Sequence, residues 1–223
     1  MTWFRSILCG LIPATLALCA PITPVSYTML NGQGVANGGI LNYWDESYSG
    51  SGSTTTDGAL LSGGLGQLTD GFIGCSNDWT VDCGDGAAFR WVAWNTIDPV
   101  IVFDFGSLQQ FQRISVHTNN VGVGGVSMWD TALFQFSNDG VNFSPGVLRT
   151  TSAAEKADPN ARYLDTNLAE SGRYVRISFA DGPTNIWVLL SEIQFDGVAD
   201  VPEPGTALLA AAGLLVLMLR RRG

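Results

Sequence analysis

The sequence predicts an all-β fold, an antiparallel β-sandwich of the jelly-roll kind, with a targeting segment at each end. Three observations lead there. Apolar residues recur with a period of two from residue 89 onward, and Gly/Asn/Asp/Ser turns separate the runs. Of 223 residues, 27 are glycine and only 14% are charged, the composition of a turn-rich sheet rather than a helical bundle. The length suits one domain of ordinary size with appendages.

The strands follow in order. In Val100–Phe105, Ile101, Phe103 and Phe105 share a face; in Phe111–His117, Ile114 and Val116 do. Phe134 and Phe136 point one way within Thr131–Ser137, and Val175, Ile177 and Phe179 alternate with Tyr174, Arg176 and Ser178. The last strand, Ile186–Phe195, ends with Ile193 and Phe195 on one face. Ser137-Asn138-Asp139-Gly140 reads as a hairpin turn. Residues 31–39 and 49–58 are loops by composition, and 152–161 has room for one helical turn that Pro159 stops. The folded domain is expected over 26–198, with Phe103, Ile114, Phe136, Ile177 and Ile193 buried and no internal repeat.

Residues 1–20 place Arg5 before an apolar run from Ile7 to Ala20, too short to span a bilayer comfortably, and read as a secretory signal peptide. At the other end, residues 199–204 form a linker containing Pro202-Glu203-Pro204. Uncharged residues 205–219 follow as a short membrane helix, and 220–223 form a basic tail with Arg220, Arg221 and Arg222. Fifteen residues make a helix of about 22 Å, short of a ~30 Å hydrocarbon core. The arginines keep that end cytoplasmic and the bulk of the chain outside. One reading is a permanent anchor. The other is a sorting tail, because the three parts in this order resemble the PEP-CTERM sorting signal of Gram-negative bacteria. That resemblance implies an exosortase-type protease as partner, a precursor held in the inner membrane, and company with exopolysaccharide.

Charge narrows the function further. Residues 21–200 carry seven cations against nineteen acids, a net charge of −12, which disfavours nucleic acid and anionic membrane surfaces. A single His, His117, leaves little for His-based catalysis or multi-His metal sites, and neither a nucleophile elbow nor HExxH is present. Cys75 and Cys83 are the cysteines left after signal removal; in an exported chain an even pair reads as a disulfide, worth about 2–3 kcal/mol. Of the tryptophans, Trp91, Trp94 and Trp187 lie in strand patterns and read as core. Trp44, Trp79 with Asp78, and Trp129-Asp130 lie among polar loop residues. They are candidates either for stacking on sugar faces, with the carboxylates bonding hydroxyls, or for ordinary loop packing.

A second resemblance rests on a series of pieces in order. They are Leu68-Thr69-Asp70-Gly71, Trp91-Val92-Ala93-Trp94, Ile101–Gly106, Ile114–His117, Phe136–Phe143, Arg173–Ile177, Trp187 and Leu190-Ser191-Glu192-Ile193. Over residues 65–197 this resembles the discoidin, or coagulation-factor C-type, domain of the galactose-binding-like jelly rolls; 26–64 fits it poorly and is expected to give a first strand and a variable loop. The resemblance implies a non-catalytic binding module for carbohydrate, lipid headgroup or protein. It also implies a structural Ca²⁺ held by Asp70 and Glu192, with carbonyls of Gln67 and Ser191 as helpers. The family's Asn and Thr after the Asp-Gly are replaced here by Phe72 and Cys75, and Asp57-Gly58 is a rival turn of the same spelling. The function expected is an exported, non-enzymatic protein that binds extracellular carbohydrate. The alternatives are an adhesive protein that binds another protein and, last, a glycoside hydrolase.

Overall fold

The computed structural model describes residues 19–34, 42–74, 90–122, 124–181 and 187–198. The strands there are β1 (Cys19–Ile22), β2 (Ser26–Leu30), β3 (Leu60–Gly64), β4 (Val92–Asn95), β5 (Val100–Thr118), β6 (Thr131–Ser137), β7 (Val147–Thr150), β8 (Arg162–Ala180) and β9 (Trp187–Val198). All ladders between them are antiparallel.

Two of these strands are far longer than the alternation suggests. The expected separate runs at 100–105 and 111–117 are one strand of 19 residues, and β8 begins eleven residues before Arg173. Each serves two layers. The first half of β5 lies between β2 and the second half of β8, giving one layer in the order β3-β2-β5-β8-β6-β7. The second half of β5 lies between β9 and the first half of β8, giving the other layer, with β4 and β1 on the far edge of β9. The corner falls where the β5–β8 register shifts, at Gly106, whose φ of 74° favours glycine. There Arg173 grips Asp104 through two parallel bonds of 2.8 Å.

Folding the sheet on itself puts the inward aromatics in contact. Phe103 of the first layer meets Phe195 of the second at 4.9 Å between ring centroids, and Phe111 meets Phe136 at 5.5 Å. Phe103, Ile114, Phe136, Ile177 and Ile193 are all in this core. A second, smaller cluster of Tyr43, Trp91, Ala93, Val126, Trp187 and Leu189 involves the opposite face of β9. Residues 26–64 contribute two strands rather than one. The expected turn at 152–161 is α1 (Ala153–Ala157), closed by a capping box in which Ser152 and Glu155 bond each other's backbone.

The expected signal peptide lies outside the described residues except for Cys19 and Ala20, which begin β1. The Pro202-Glu203-Pro204 linker, the apolar segment 205–219 and Arg220, Arg221 and Arg222 also lie outside them. No helix among the described residues is long and apolar enough to cross a membrane.

Candidate functional site

Two regions gather polar groups. The first lies on the outward face of the second layer, where a β-bulge in β9 sets two residues, Ser191 and Glu192, opposite His117 of β5. Both therefore face away from the main core, beside the turn that follows Gln67–Thr69. Gly71 N–H donates to Glu192 Oε2 at 3.1 Å, and Gly74 N–H donates to Ser191 Oγ at 3.1 Å. The first turn and the last strand are thereby joined across 121 residues of sequence.

The electrostatics there are one-sided. Burial pushes the Glu192 carboxyl up to about 8, and the charge of Asp70 adds to the rise. Burial also raises Asp70. Asp45 is fully buried, accepts from Tyr27 Oη and from Gln67 N–H at 2.9 Å, and is raised by burial with a further push from Asp70. It offers no carboxylate to a ligand in solvent. Asp70 and Glu192 are hard oxygen donors whose repulsion a cation would relieve, so their chemistry fits Ca²⁺. No group of three or more His, Cys, Asp or Glu side chains suited to a metal occurs among the described residues, so carbonyl oxygens would have to complete the shell. A pocket of about 250 Å³ lined by Pro21–Pro24, Thr69, Gln194 and Asp196 opens at Glu192.

His117 Nδ1 is 2.7 Å from Ser191 Oγ, the spacing of a nucleophile and its base. Both are buried, His117 against Trp91 at 5.5 Å and Tyr163 at 4.9 Å, and burial pushes the imidazole down to about 4. The pair is part of the packing rather than open to a substrate.

The second region is the loop end of the sandwich, at the start of β9 and away from Val198. Trp44 is half-buried there. Its Nε1–H donates to Asp57 Oδ1 at 2.6 Å, the same oxygen accepts from Gly34 N–H at 2.8 Å, and Gly34 lies so close to the indole that a Cβ would sit 2.1 Å from it. Gln33 Oε1 accepts from Asn95 N–H nearby. Thr96 has a φ of 54°, the one positive value at a non-glycine among the described residues. Asp57, weighed above only as a rival turn, is what orients Trp44.

Trp129 corrects an expectation. It is 0% exposed, packed edge-on against Phe179 at 5.6 Å beneath the Arg149 guanidinium, and presents no face to a sugar. Its neighbour Asp130 is held by Lys156. Trp79, Asp78, Cys75 and Cys83 lie outside the described residues.

The family model of the discoidin domain-containing receptor 1/2 DS-like domain matches residues 24–197. The chain belongs to this DS-like family. The match begins well before residue 65, so 26–64 is part of the domain. The PEP-CTERM protein-sorting motif matches residues 200–222, which marks an exported protein sorted to the cell envelope. Discoidin domain-containing receptor tyrosine kinase B of Caenorhabditis elegans is 25% identical over 171 residues, covering 74% of this chain and 20% of that protein. Epithelial discoidin domain-containing receptor 1 of Mus musculus is 29% identical over 187 residues, covering 79% and 20%. The DS-like chain thus spans about a fifth of the length of these curated relatives. Among solved structures, a truncated AlyQ with CBM32 and alginate lyase domains aligns with a TM-score of 0.47 and 13% identity, covering 82% of this chain and 34% of that one. The C-terminal domain of a chitobiase from Bacteroides fragilis aligns with a TM-score of 0.47 and 12% identity, covering 81% and 100%.

Proposed function

We propose that this DS-like protein is a non-catalytic, envelope-sorted module that binds extracellular carbohydrate at its loop end. Trp44 is the stacking surface, and a structural Ca²⁺ between Asp70 and Glu192 holds the first turn to the last strand. The observation that carries the reading is the fixed indole of Trp44. Asp57 and Gly34 set its orientation in advance, so little ordering is left to be done when a ligand arrives. The sorting motif supports a partner outside the cell, and an exosortase-type protease would be the processing partner. Asp57, whose other carboxylate oxygen is not the one bonded to the indole, and Gln33, next to Gly34 in the chain, are the polar groups proposed to take sugar hydroxyls.

The test is a glycan array, with matrix polysaccharide included, probed with the purified full-length protein. Wild type should retain a glycan, and Trp44→Ala should lose at least tenfold in affinity, about 1.4 kcal/mol. Phe72→Ala, which removes an exposed ring elsewhere, should bind as wild type. Retention of no glycan, or equal binding by Trp44→Ala, removes the reading.

A further inference from the structure

The two outward faces of the sandwich are finished differently. The second layer is covered in part by the Tyr43–Trp91–Trp187 cluster. Among the described residues no such cluster covers the outward face of the first layer. Across its six strands runs one row of side chains in register: Leu60 opposite Leu30, then Val100 opposite Ser178, Leu133 and Leu148. Leu30 follows Met29, which faces Ile101, and so stands beside Val100. Leu60 is 60% exposed, Leu30 50%, Val100 46% and Leu148 62%. Scattered exposed leucines need no explanation, but a contiguous row spanning a sheet marks an interaction surface.

Charges flank this row in an ordered way. Two residues to one side on β8 stands Arg176. Its Nε and Nη2 donate to Gln135 Oε1 at 3.0 and 2.8 Å, Gln135 is itself tied to the Ser144 carbonyl at 2.9 Å, and the guanidinium lies over Phe143 at 4.1 Å. Arg113, Arg149, Arg162, Arg173 and Lys156 each meet a carboxylate; Arg176 is held in place by a neutral amide and a ring. Two residues to the other side, ahead of Val100, stands Asp98. It is exposed, accepts from Asp181 N–H at 2.9 Å, and has no ion pair among the described residues.

We infer that this face is where a second copy of the chain docks, about a two-fold axis lying along the apolar row. A half-turn about that line lays each row residue over its own counterpart and exchanges the two sides. Arg176 stands two residues from the line on β8, and Asp98 two residues from it on the other side, in the segment that leads into β5; by strand rise and spacing these are offsets of about 6.6 Å on neighbouring segments about 4.8 Å apart. The rotation therefore brings each Arg176 over the other copy's Asp98, within the reach of an arginine side chain. An isologous contact needs a patch complementary to itself, and cation, apolar row and anion in that sequence meet the requirement. A partner of another kind would not need the two charges to be placed symmetrically.

Cross-linking of the full-length protein in detergent tests this, read above the wild-type background on a non-reducing gel. Ser178→Cys lies on the axis and should join to its own copy, while Val141→Cys, highly exposed but remote from the row, should not. Arg176→Asp added to Ser178→Cys should cut the dimer yield about tenfold, and adding Asp98→Arg as well should restore it. Leu148→Glu should abolish it with an unchanged melting temperature. If Ser178→Cys cross-links no better than Val141→Cys, or if the reversed charge pair fails to restore the dimer, the inference is overturned. Neither result bears on glycan binding at Trp44.

Discussion

Glu192 and His117 face each other across β5 and β9 and titrate in opposite senses. Glu192, raised from 4.5 to about 8, holds its proton more firmly in the folded chain than in the unfolded one. Its contribution is fully present below about pH 4.5 and is lost as pH rises toward 8. His117, lowered from 6.5 to about 4, is neutral when folded and takes up a proton more readily when unfolded, so its contribution is lost as pH falls from 6.5 toward 4. Without divalent cations the melting temperature should therefore peak in mildly acidic buffer. Glu192→Gln should raise it by ~5 °C at pH 8 and remove the alkaline decline. Millimolar Ca²⁺ should do the same for wild type and nothing for Asp70→Ala; thermal melts across pH, with and without chelator, read all three. A wild type and a Glu192→Gln variant that melt alike at pH 8 would mean that burial does not hold the Glu192 carboxyl above its ordinary range. The meeting of the Asp70-Gly71 turn with Glu192 was legible in the sequence because an Asp-Gly turn and a Ser-Glu-Ile strand end carry the family pattern. Trp129 was not: a Trp-Asp pair that follows the Gly-rich run 122–125 spells a loop, and only the Phe179 ring beneath it, fifty residues later, makes it core. The role of Asp57 was hidden for a related reason, since its partner Trp44 lies thirteen residues away across a loop with no periodicity.

At the scale of elements, alternation located β6 to the residue and the inward faces of β5, β8 and β9, because a strand buried on one side must repeat every two residues. It broke β5 in two because Gly106 to Gln110 turns the corner and its side chains point to no core. It missed the first half of β8 for a similar reason, since residues 165–171 form an outer edge with few apolar positions. The bulge at Ser191 is likewise invisible: one residue shifts the alternation, and both Ser191 and Glu192 come to the same face. Close strand contact has its own requirement. A Cβ at Gly197 would lie 2.0 Å from the Gln110 carbonyl oxygen across the β5–β9 ladder. Gly197→Ala should thus force the ladder apart and cost about 3 kcal/mol in a denaturant melt. Ser152→Ala, which removes only the capping box of α1, should cost about 1 kcal/mol. Equal costs for the two would show that the β5–β9 ladder yields more easily than its geometry implies.

On the scale of the whole molecule, the ladder between β1 and β9 decides how the domain is carried. Cys19 pairs with Val198 and Ala20 with Gly197, so the described residues start and finish at one point on the rim of the second layer. Paired residues in an antiparallel ladder have Cα atoms about 4.5–5.5 Å apart, a gap that two or three residues can close. The loop end with Trp44, Asn95 and Thr96 lies at the other extreme of β9, because β4 pairs Asn95 with Trp187. The expected result is that the domain survives circular permutation. Val198 would be joined to Ala20 by a short Gly/Ser link, and new ends opened at Val141, which is 78% exposed at the tip of the β6–β7 connection. Native termini so close together leave little for the link to distort. The cost should come from the opened loop, where Asp139 Oδ1 accepts from the Val141 and Asn142 amides at 2.9 and 2.8 Å. The permutant should melt cooperatively, within about 10 °C of the parent. A permutant that fails to fold, while a chain merely cut at Val141 does fold, would show that the two ends are not adjacent and that β1 does not close the sheet.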